Sequence, residues 1–394
     1  MKDFFVAIID IIKKAGFSFL LLALTLYFSS DSLSVYFLIL FAITQIQLLL
    51  NNKKNNNVVV SLVLFSISYC LIWIINGSVN SYAILISILL CPVFFYLYGV
   101  KIGQKLDYSR ELPIALLLLI TVMLLNVFKA TVLNVLEVGI IDPTRQLIFE
   151  EEENVASATV WGLVVSPALG LLIVPLFVSH PIRKIWPVLS TALATLALLT
   201  VVHIVNRGGL AIAAVAIFIS LFVRFKDKKI YLILAFIIAV ITLVYFLPSN
   251  GEIYEAYSAR SDAEGDIERL YRWLYGLGNL FLHPLGWNDP TLDHQFFMHN
   301  LWLDVARVSG IIPFLCLFIA TIRTIKNVYK LFRMSNSVTT IILVSIFSTL
   351  FMACFMEPAL EAKQVAVYFF IFIWGVIAGV LRNKTLYNEC NTIK

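Results

Sequence analysis

Residues 58–75 read VVVSLVLFSISYCLIWII, a run of 18 residues without a charged side chain. A helix of about 20 apolar residues crosses the hydrocarbon core of a bilayer, so an uncharged run of this length indicates a transmembrane helix. Similar runs predict spans near 15–30, 34–50, 80–98, 113–133, 158–179, 185–205, 210–223, 230–247, 302–322, 337–355 and 364–381. The sequence therefore predicts an all-α integral membrane protein with about 12 transmembrane helices.

The composition of the chain agrees with lipid as its main solvent. Of the 394 residues, 60% are hydrophobic and 13% are charged. A soluble domain carries roughly 25% charged residues. This balance excludes an ordinary soluble globular protein, and we expect no nucleic-acid partner.

The five cysteines do not form a metal-binding pattern. Four of them (Cys70, Cys91, Cys316 and Cys354) lie in apolar runs, and Cys390 lies in the C-terminal tail. We therefore expect no disulfide, no metal site and no cofactor.

The basic residues orient the predicted spans. With the N-terminus in the cytoplasm, the cytoplasmic segments hold 21 of the 29 basic residues but only 6 of the 24 acidic ones. Cytoplasmic loops of membrane proteins are enriched in Lys and Arg. An even number of spans then returns the C-terminus to the same side. We expect both termini to be cytoplasmic and residues 1–394 to form one polytopic membrane domain.

Two long segments fall on the outer side of the membrane. The first covers residues 134–157 and carries four consecutive glutamates. The second covers residues 248–301 and mixes Gly, Pro, Asp, Arg and aromatic residues. Long polar loops are where binding and catalysis tend to lie, so both are candidate locations for a functional site.

Arg207 lies on the outer side, where basic residues are scarce, and Gly208 and Gly209 follow it at the start of the eighth span. A Gly-Gly turn lets the backbone approach a ligand closely. The N-terminus of a helix beside a guanidinium suits an anion such as phosphate. His203 is expected one helical turn earlier on the same face. The alternative is an interfacial arginine at a tight turn.

The stretch from Asp266 to Trp273 predicts an amphipathic helix at the membrane interface. Arg269 and Trp273 are four residues apart and share a face, and Arg272 lies on a neighbouring one. Two arginines near a phosphate site can clamp a diphosphate bidentately. The alternative is that they pair with Asp266 and Glu268 or with lipid headgroups.

His299 lies at the outer mouth of the tenth predicted span, and an imidazole can act as a general base near neutral pH. Asp304 and Arg307 share a face of an apolar helix, where ionisable groups indicate a functional role. Their alternative is a mutual ion pair that only fixes packing. Glu357 lies near the outer turn before the last span; we expect a solvated loop acid, with contact to a substrate hydroxyl as the alternative.

Taken in order, these motifs resemble the O-antigen polymerase and ligase superfamily of bacterial membrane glycosyltransferases. The carrying motifs are Arg207-Gly-Gly-Leu, Arg269 with Trp273, His283-Pro-Leu-Gly and His299-Asn300, with nine residues between Asn300 and Gly310. The resemblance runs from the seventh span to the C-terminus. The first six helices match only in being hydrophobic.

The resemblance implies a reaction on an undecaprenyl-diphosphate-linked glycan at the outer face of the bacterial inner membrane. Residues 134–157 are then a first periplasmic loop, and residues 248–301 are a catalytic periplasmic loop. Arg207 and Arg269 would hold the diphosphate without a metal, and His299 would deprotonate the acceptor hydroxyl for an inverting attack. Substrate-binding roles are assigned to Arg272, Asn300, His203, Asp304, Arg307, Trp273 and Glu357.

The family contains polymerases of repeat units and ligases that transfer the finished glycan to lipid A-core. We favour a polymerase, because the outer loop is compact for a ligase and because His299-Asn300 continues as Leu-Trp-Leu-Asp. The expected partners are the lipid-linked oligosaccharide, membrane lipid and a chain-length regulator protein. The alternative from another class is a lipid-linked oligosaccharide flippase, although no internal repeat is visible.

Overall fold

The computed structural model describes residues 2–28, 33–47, 57–77, 81–141, 146–149, 152–172, 185–225, 266–287, 297–334, 337–357, 360 and 364–383. Within these ranges the chain forms 14 α-helices and one β-hairpin. The predicted span at 230–247 lies outside the described residues, as does much of the second long loop.

The regular elements follow one another along the chain. The first six helices are α1 (Lys2–Ala15), α2 (Phe17–Tyr27), α3 (Leu33–Thr44), α4 (Asn57–Ile75), α5 (Tyr82–Lys105) and α6 (Glu111–Val138). The hairpin strands are β1 (Gln146–Phe149) and β2 (Glu152–Ser157). The later helices are α7 (Ala158–Leu169), α8 (Ile185–His203), α9 (Arg207–Arg224), α10 (Asp266–Leu282), α11 (Leu301–Ser309), α12 (Ile311–Met334), α13 (Val338–Met356) and α14 (Gln364–Val380).

Five of the described helices are long and apolar enough to cross a membrane, namely α4, α5, α6, α12 and α13. The uncharged run at 58–75 forms α4 to within one residue. Five shorter helices, α2, α3, α8, α9 and α14, are apolar as well. The helices agree with a helical membrane protein, while the number of 12 spans and their orientation stay predictions.

A glycine separates the first two helices at the start of the predicted first span. Helix α1 ends at Ala15, Gly16 has a φ of 79°, and α2 begins at Phe17. Glycine adopts this left-handed conformation without the steric cost that a Cβ atom brings. Helix α1 buries Ala7, Ile11 and Ala15 along one face, which is typical of an amphipathic helix. The predicted span at 15–30 therefore starts at this break, and the helix before it ends in a turn that carries Lys13 and Lys14.

The segment 134–157, predicted as a loop, contains regular structure. Helix α6 continues to Val138, and β1 pairs antiparallel with β2. Gln146 lies opposite Ser157, and the register shifts between Leu147 and Phe149, as at a β-bulge. Elsewhere in the described ranges the regular structure is helical, so the all-α prediction needs this one amendment.

The chain forms two compact units. The first comprises Met1–Met123, Leu270–Ser335 and Cys354–Lys394, and the second comprises Leu124–Arg269 and Asn336–Ala353. In the first unit, α4 packs on both α5 and α12, and α5 packs most extensively on α14. All residues from Val365 to Val380 are buried, so α14 is the central helix of that unit.

Paired glycines bring α5 and α14 into backbone contact. A Cβ atom on Gly99 would lie 3.0 Å from the Cα atom of Gly375, and one on Gly103 would lie 3.1 Å from that of Gly379. Both pairs follow the Gly-x-x-x-Gly spacing, which lets helices in a membrane approach closely. This contact fixes α14 against the helix that carries Ser87 and Tyr98.

The second unit positions the start of α9. Helix α7 packs on both α8 and α9, and the hydroxyls of Thr131 and Thr200 are hydrogen-bonded at 2.9 Å between α6 and α8. Gly162 of α7 faces the Asn206 side chain so closely that a Cβ atom there would collide with the amide. Asn206 is the N-cap of α9, so this packing sets where α9 begins.

The predicted tenth span at 302–322 is divided in the structure. Helix α11 ends at Ser309, Gly310 has a φ of 76°, and α12 begins at Ile311 and runs to Met334. The helix that is long enough to span therefore starts after Gly310. Asp304 and Arg307 lie in the short helix before it, so their predicted position inside the spanning helix is wrong.

Candidate active site

The candidate active site of the first unit is built on residues 297–300, which lead into α11. Asn300 is the N-cap of that helix, and its Oδ1 accepts hydrogen bonds from the N–H groups of Trp302 and Leu303 at 3.2 Å each. Its Nδ2 donates to the carbonyl oxygen of Phe355 at 3.3 Å. Asparagine is a preferred N-cap because it satisfies such first-turn donors. The contacts of Asn300 are thus structural ones with protein groups.

His299 precedes this cap in a backbone conformation that is uncommon for residues other than glycine. Its φ is 50°, and a left-handed conformation costs a residue with a side chain roughly 1–3 kcal/mol. The side chain is 19% exposed. Strain of this kind persists only where neighbouring groups hold it, and it clusters at functional sites.

Asp304 supplies contacts on both sides of His299. One carboxylate oxygen, Oδ1, accepts from the N–H of Met298 at 2.8 Å, and Oδ2 accepts from the N–H of Asn300 at 3.3 Å. The residue is 2% exposed. The carboxylate therefore binds the backbone immediately before and after the strained residue.

Two arginines hold the same segment. The Nε atom of Arg307 lies 3.6 Å from Oδ1 of Asp304, and its guanidinium lies 5.5 Å from the centroid of the Phe297 ring. The Nη1 atom of Arg272 donates to the carbonyl oxygen of Phe297 at 3.2 Å. The contact between Asp304 and Arg307 matches the alternative of a mutual ion pair. The contact of Arg272 is with a backbone carbonyl, which the sequence did not predict.

Glu357 faces His299, and the prediction that it is a solvated loop acid is wrong. Its Oε2 atom lies 3.6 Å from Nδ1 of His299, and its side chain is 3% exposed. This separation suits an ion pair and exceeds a hydrogen bond, although catalytic contacts are often long before substrate binds. A carboxylate beside one imidazole nitrogen orients the ring and stabilises its protonated form. Glu361, a second acid at the predicted outer turn before the last span, lies outside the described residues.

The His283-Pro-Leu-Gly motif packs directly on the break after α11. The N–H of Ile311 donates to the carbonyl oxygen of Pro284 at 3.0 Å, and the N–H of Trp287 donates to that of Arg307 at 2.8 Å. Gly286 has a φ of 101° and Gly310 one of 76°. The two motifs are therefore parts of one structure, which braces the end of α11 that carries Arg307.

Helix α10 confirms the predicted helix through Arg269 and Trp273. The Trp273 ring meets the ring of Phe355 edge to face, with centroids 4.9 Å apart. Gly276 lies against Met298, whose sulfur would be 3.0 Å from an added Cβ atom. Trp273 thus packs against protein. Nothing in these contacts shows the predicted position of the helix at the membrane interface, which stays a prediction.

In the second unit, His203 and Arg207 do not share a helix, so the predicted common face is wrong. Helix α8 ends at His203, Val205 has a φ of 49°, and Arg207 begins α9. His203 is fully buried, and its Nδ1 lies 3.2 Å from the carbonyl oxygen of Ile140. This contact fits a structural role for the histidine.

The glycines after Arg207 lie in the first turn of α9 rather than in an open loop. The N–H of Gly209 donates to Oδ1 of the N-cap Asn206 at 2.9 Å. A Cβ atom on Gly209 would lie 2.6 Å from a methyl group of Val201. The close approach that this glycine permits is between α8 and α9, which corrects the prediction of an approach to a ligand.

The first unit brings together His299, Asn300, Asp304, Arg307, Arg272 and Glu357, which we name the His299 cluster. Arg207, His203 and Arg269 belong to the second unit. Asn76 was missed by the sequence analysis: its Nδ2 donates to the carbonyl oxygens of Leu285 at 2.9 Å and Val308 at 3.3 Å. Among the residues that the structure describes, no group of three His, Cys, Asp or Glu side chains is placed to hold a metal ion.

No protein-family model matches the chain, and no curated protein matches it significantly.

Proposed function

We propose that the chain is an inverting, polyprenyl-diphosphate-dependent membrane glycosyltransferase that polymerises O-antigen or similar repeat units. The donor is a glycan linked to undecaprenyl diphosphate, and the acceptor is a sugar hydroxyl of another lipid-linked repeat unit. This reaction follows from the family resemblance of the motifs, and the His299 cluster supplies the chemistry that it needs.

The proposed step transfers a glycosyl group in one displacement. The imidazole of His299 takes the proton of the acceptor hydroxyl, and the oxygen attacks the anomeric carbon from the face opposite the diphosphate. The bond between the anomeric carbon and the diphosphate oxygen breaks, and its electron pair leaves with the diphosphate. The products are a lengthened glycan and undecaprenyl diphosphate.

The observation that carries the proposal is the pair formed by His299 and Glu357. A general base needs a ring nitrogen free to accept a proton and a partner that stabilises the imidazolium it becomes. Nδ1 is buried and faces the Glu357 carboxylate at 3.6 Å, so the exposed part of the ring lies away from Nδ1. That arrangement leaves the other nitrogen, Nε2, for the acceptor hydroxyl.

The leaving group requires positive charge, and two arginines are assigned to it. Arg207 and Arg269 match the family pattern, and both side chains are partly exposed in the second unit. A guanidinium binds phosphate oxygens bidentately and stays charged at every physiological pH. Stabilisation of the charge that develops on the leaving oxygens lowers the barrier to transfer.

The membrane arrangement proposed for this activity is the one that the charge distribution predicts. The chain crosses the bacterial inner membrane about 12 times, to within one pair of spans. Both termini then lie in the cytoplasm. The long loop between the ninth and tenth spans then lies in the periplasm, where lipid-linked repeat units are joined. The apolar helices of both units support membrane residence.

The test is a lipopolysaccharide gel from a strain that lacks the gene. The strain is complemented with wild type, with His299→Ala or with His283→Ala, and each protein is quantified by immunoblot. His283 is a matched control, because it is exposed and its turn is made by its backbone carbonyl, which accepts from the N–H of Gly286 at 2.9 Å.

The expected result is lipid A-core that carries a single repeat unit in the deletion strain and in His299→Ala. Wild type and His283→Ala restore the ladder. Core without any repeat unit, with polymer accumulating on the lipid carrier, would identify a ligase instead. Repeat units that accumulate on the cytoplasmic face would identify a flippase. A full ladder from His299→Ala would remove the histidine from the mechanism.

A further inference from the structure

We propose that Asp304 is a positioning residue that holds His299 in its left-handed conformation and so fixes the direction of its imidazole. The proposal concerns the backbone of residues 298–300. Its effect on glycosyl transfer rests on the proposed function, but its effect on the geometry of His299 does not.

The first observation is that the two oxygens of one carboxylate bind both neighbours of the strained residue. Oδ1 accepts from the N–H of Met298 at 2.8 Å, and Oδ2 accepts from that of Asn300 at 3.3 Å. A left-handed residue between these two donors turns both N–H groups toward the same acceptor. If His299 relaxed to an extended conformation, at least one of these bonds would break.

The second observation is that only an acid can make both contacts. An ionised carboxylate accepts at each oxygen, whereas the amide of asparagine accepts at one atom and donates at the other. Asp304→Asn therefore leaves one buried N–H facing an NH₂ group. An unsatisfied buried donor is unfavourable. The left-handed conformation of His299 is therefore less stable in Asp304→Asn than in wild type.

The third observation explains how a buried carboxylate is tolerated at this place. Asp304 is 2% exposed and Arg307 is 5% exposed, and Nε of Arg307 lies 3.6 Å from Oδ1 of Asp304. A buried charge needs a paired charge and hydrogen bonds. Arg307 supplies the first and the backbone around His299 supplies the second, so the ion pair and the strained histidine depend on each other.

The consequence lies in the contact between His299 and Glu357. The ring lies 3.6 Å from the Glu357 carboxylate in a backbone conformation in which φ of His299 is 50°. Rotation of that backbone swings the Cα–Cβ bond and moves the imidazole away from Glu357. Asp304 therefore acts on the base through the backbone and without touching the substrate.

The first experiment measures the geometry without using activity. Diethyl pyrocarbonate acylates unprotonated imidazole nitrogens, and mass spectrometry of the full-length protein in detergent gives a rate for each histidine. His283 is exposed and serves as the internal reference. In wild type, His299 reacts more slowly than His283, because its side chain is only 19% exposed. In Asp304→Asn the rate of His299 rises to that of His283.

The second experiment measures transfer by the same proteins with a polyprenyl-diphosphate-linked repeat unit. Asp304→Asn lowers kcat about 100-fold with little change in KM, since a displacement of the base by about 1 Å has an effect of that size. In a His299→Ala background, Asp304→Asn causes no further loss. A residue that only stabilised the fold would lower the rate by the same factor in both backgrounds.

The two readouts separate this proposal from the proposed function. If the labelling rate of His299 rises while transfer is unchanged, Asp304 positions the histidine but His299 is not the base. If the labelling rate is unchanged in Asp304→Asn, the positioning role is wrong, whatever happens to transfer. If Asp304→Asn does not fold because Arg307 loses its ion pair with residue 304, the D304N/R307Q double variant removes both charges, and the same labelling outcomes decide.

Discussion

Gly310 lies against Pro284, and the N–H of the next residue, Ile311, donates to the Pro284 carbonyl at 3.0 Å. An added Cβ atom on Gly310 would collide with that carbonyl oxygen and lie 2.8 Å from the Cα of Leu285. The glycine also has a φ of 76°, in the region where a side chain is unfavourable. The His283-Pro-Leu-Gly motif and the glycine of the His299-Asn300 motif are thus joined by one backbone contact.

Gly310→Ala is therefore expected to destabilise the first unit. The left-handed conformation alone costs about 1–3 kcal/mol for a residue with a side chain, and displacement of the Pro284 turn adds to it. The measurement is the Tm of the protein in detergent, monitored by fluorescence-detected size exclusion after heating. We expect a lower Tm than that of wild type. The loss of stability should be accompanied by a loss of the repeat-unit ladder.

The control is Gly278→Ala in helix α10. Nothing lies within 4 Å of a Cβ atom added to Gly278, and alanine is favoured over glycine in a helix by about 0.5–1 kcal/mol. Its Tm should stay equal or rise slightly. Equal stability of Gly310→Ala and wild type would show that the Pro284 contact does not contribute to the free energy of unfolding.

The glycine pairs between α5 and α14 give a second prediction. In Gly375→Leu the side chain would meet the backbone of Tyr96 and Gly99, so the two helices must separate. Overpacking of a core typically costs about 1–3 kcal/mol, and a leucine against two backbones lies at the upper end. The folded fraction recovered from membranes should fall.

Leu89→Ala is the matched control for that change. Leu89 lies on α5 as well, but its side chain is 39% exposed, so its loss affects lipid or detergent contacts more than helix packing. Its recovery should match that of wild type. A Gly375→Leu protein recovered in full would contradict the close packing of α5 and α14.

Much of the helical structure follows from local sequence, because burial in lipid requires continuous apolar runs. The run at 58–75 gives α4, and the span predicted at 364–381 gives α14. The break at Gly310 does not follow from hydropathy, because a glycine between two apolar segments leaves the run uninterrupted. It is set by the left-handed backbone conformation of Gly310 and by the turn that packs on this glycine.

The candidate site could be predicted only where its residues carry their own signal. His299 stands out as an imidazole at a predicted helix mouth, and Asn300 follows it as a good N-cap. Glu357 gives no such signal, because its role depends on a contact with a residue far away in the sequence. A glutamate at a predicted outer turn is expected to be solvated. The structure instead buries the Glu357 side chain, which is 3% exposed.

Arg207 provides a prediction on the leaving group. Arg207→Ala should lower the rate of transfer about 100- to 1000-fold, which is the usual effect of removing one donor that stabilises developing negative charge. Arg207→Lys should recover part of that loss, because lysine keeps the charge but not the planar fork. The measurement is kcat with a polyprenyl-diphosphate-linked repeat unit.

Arg224 lies at the other end of α9 and is exposed, so Arg224→Ala is the matched control. It removes an equal charge from the same helix at the end that the charge distribution assigns to the cytoplasm. Its rate should equal that of wild type. An equal loss in Arg224→Ala and Arg207→Ala would point to a general effect of charge and away from diphosphate binding.

Glu357→Gln tests the partner of the proposed base. The amide keeps the size of the side chain but removes the charge that stabilises the imidazolium, so transfer should fall on the order of 100-fold, within the usual range for general-base catalysis. Glu137→Gln, at an exposed position near the end of α6, is the control and should leave the rate unchanged.

The decisive measurement is the double variant. If Glu357 acts through His299, then Glu357→Gln should not lower the rate further once His299 is alanine. An additive loss would instead mean that Glu357 contacts the substrate or stabilises the fold. The 3.6 Å separation between its carboxylate and Nδ1 of His299 would then be a packing contact without a role in transfer.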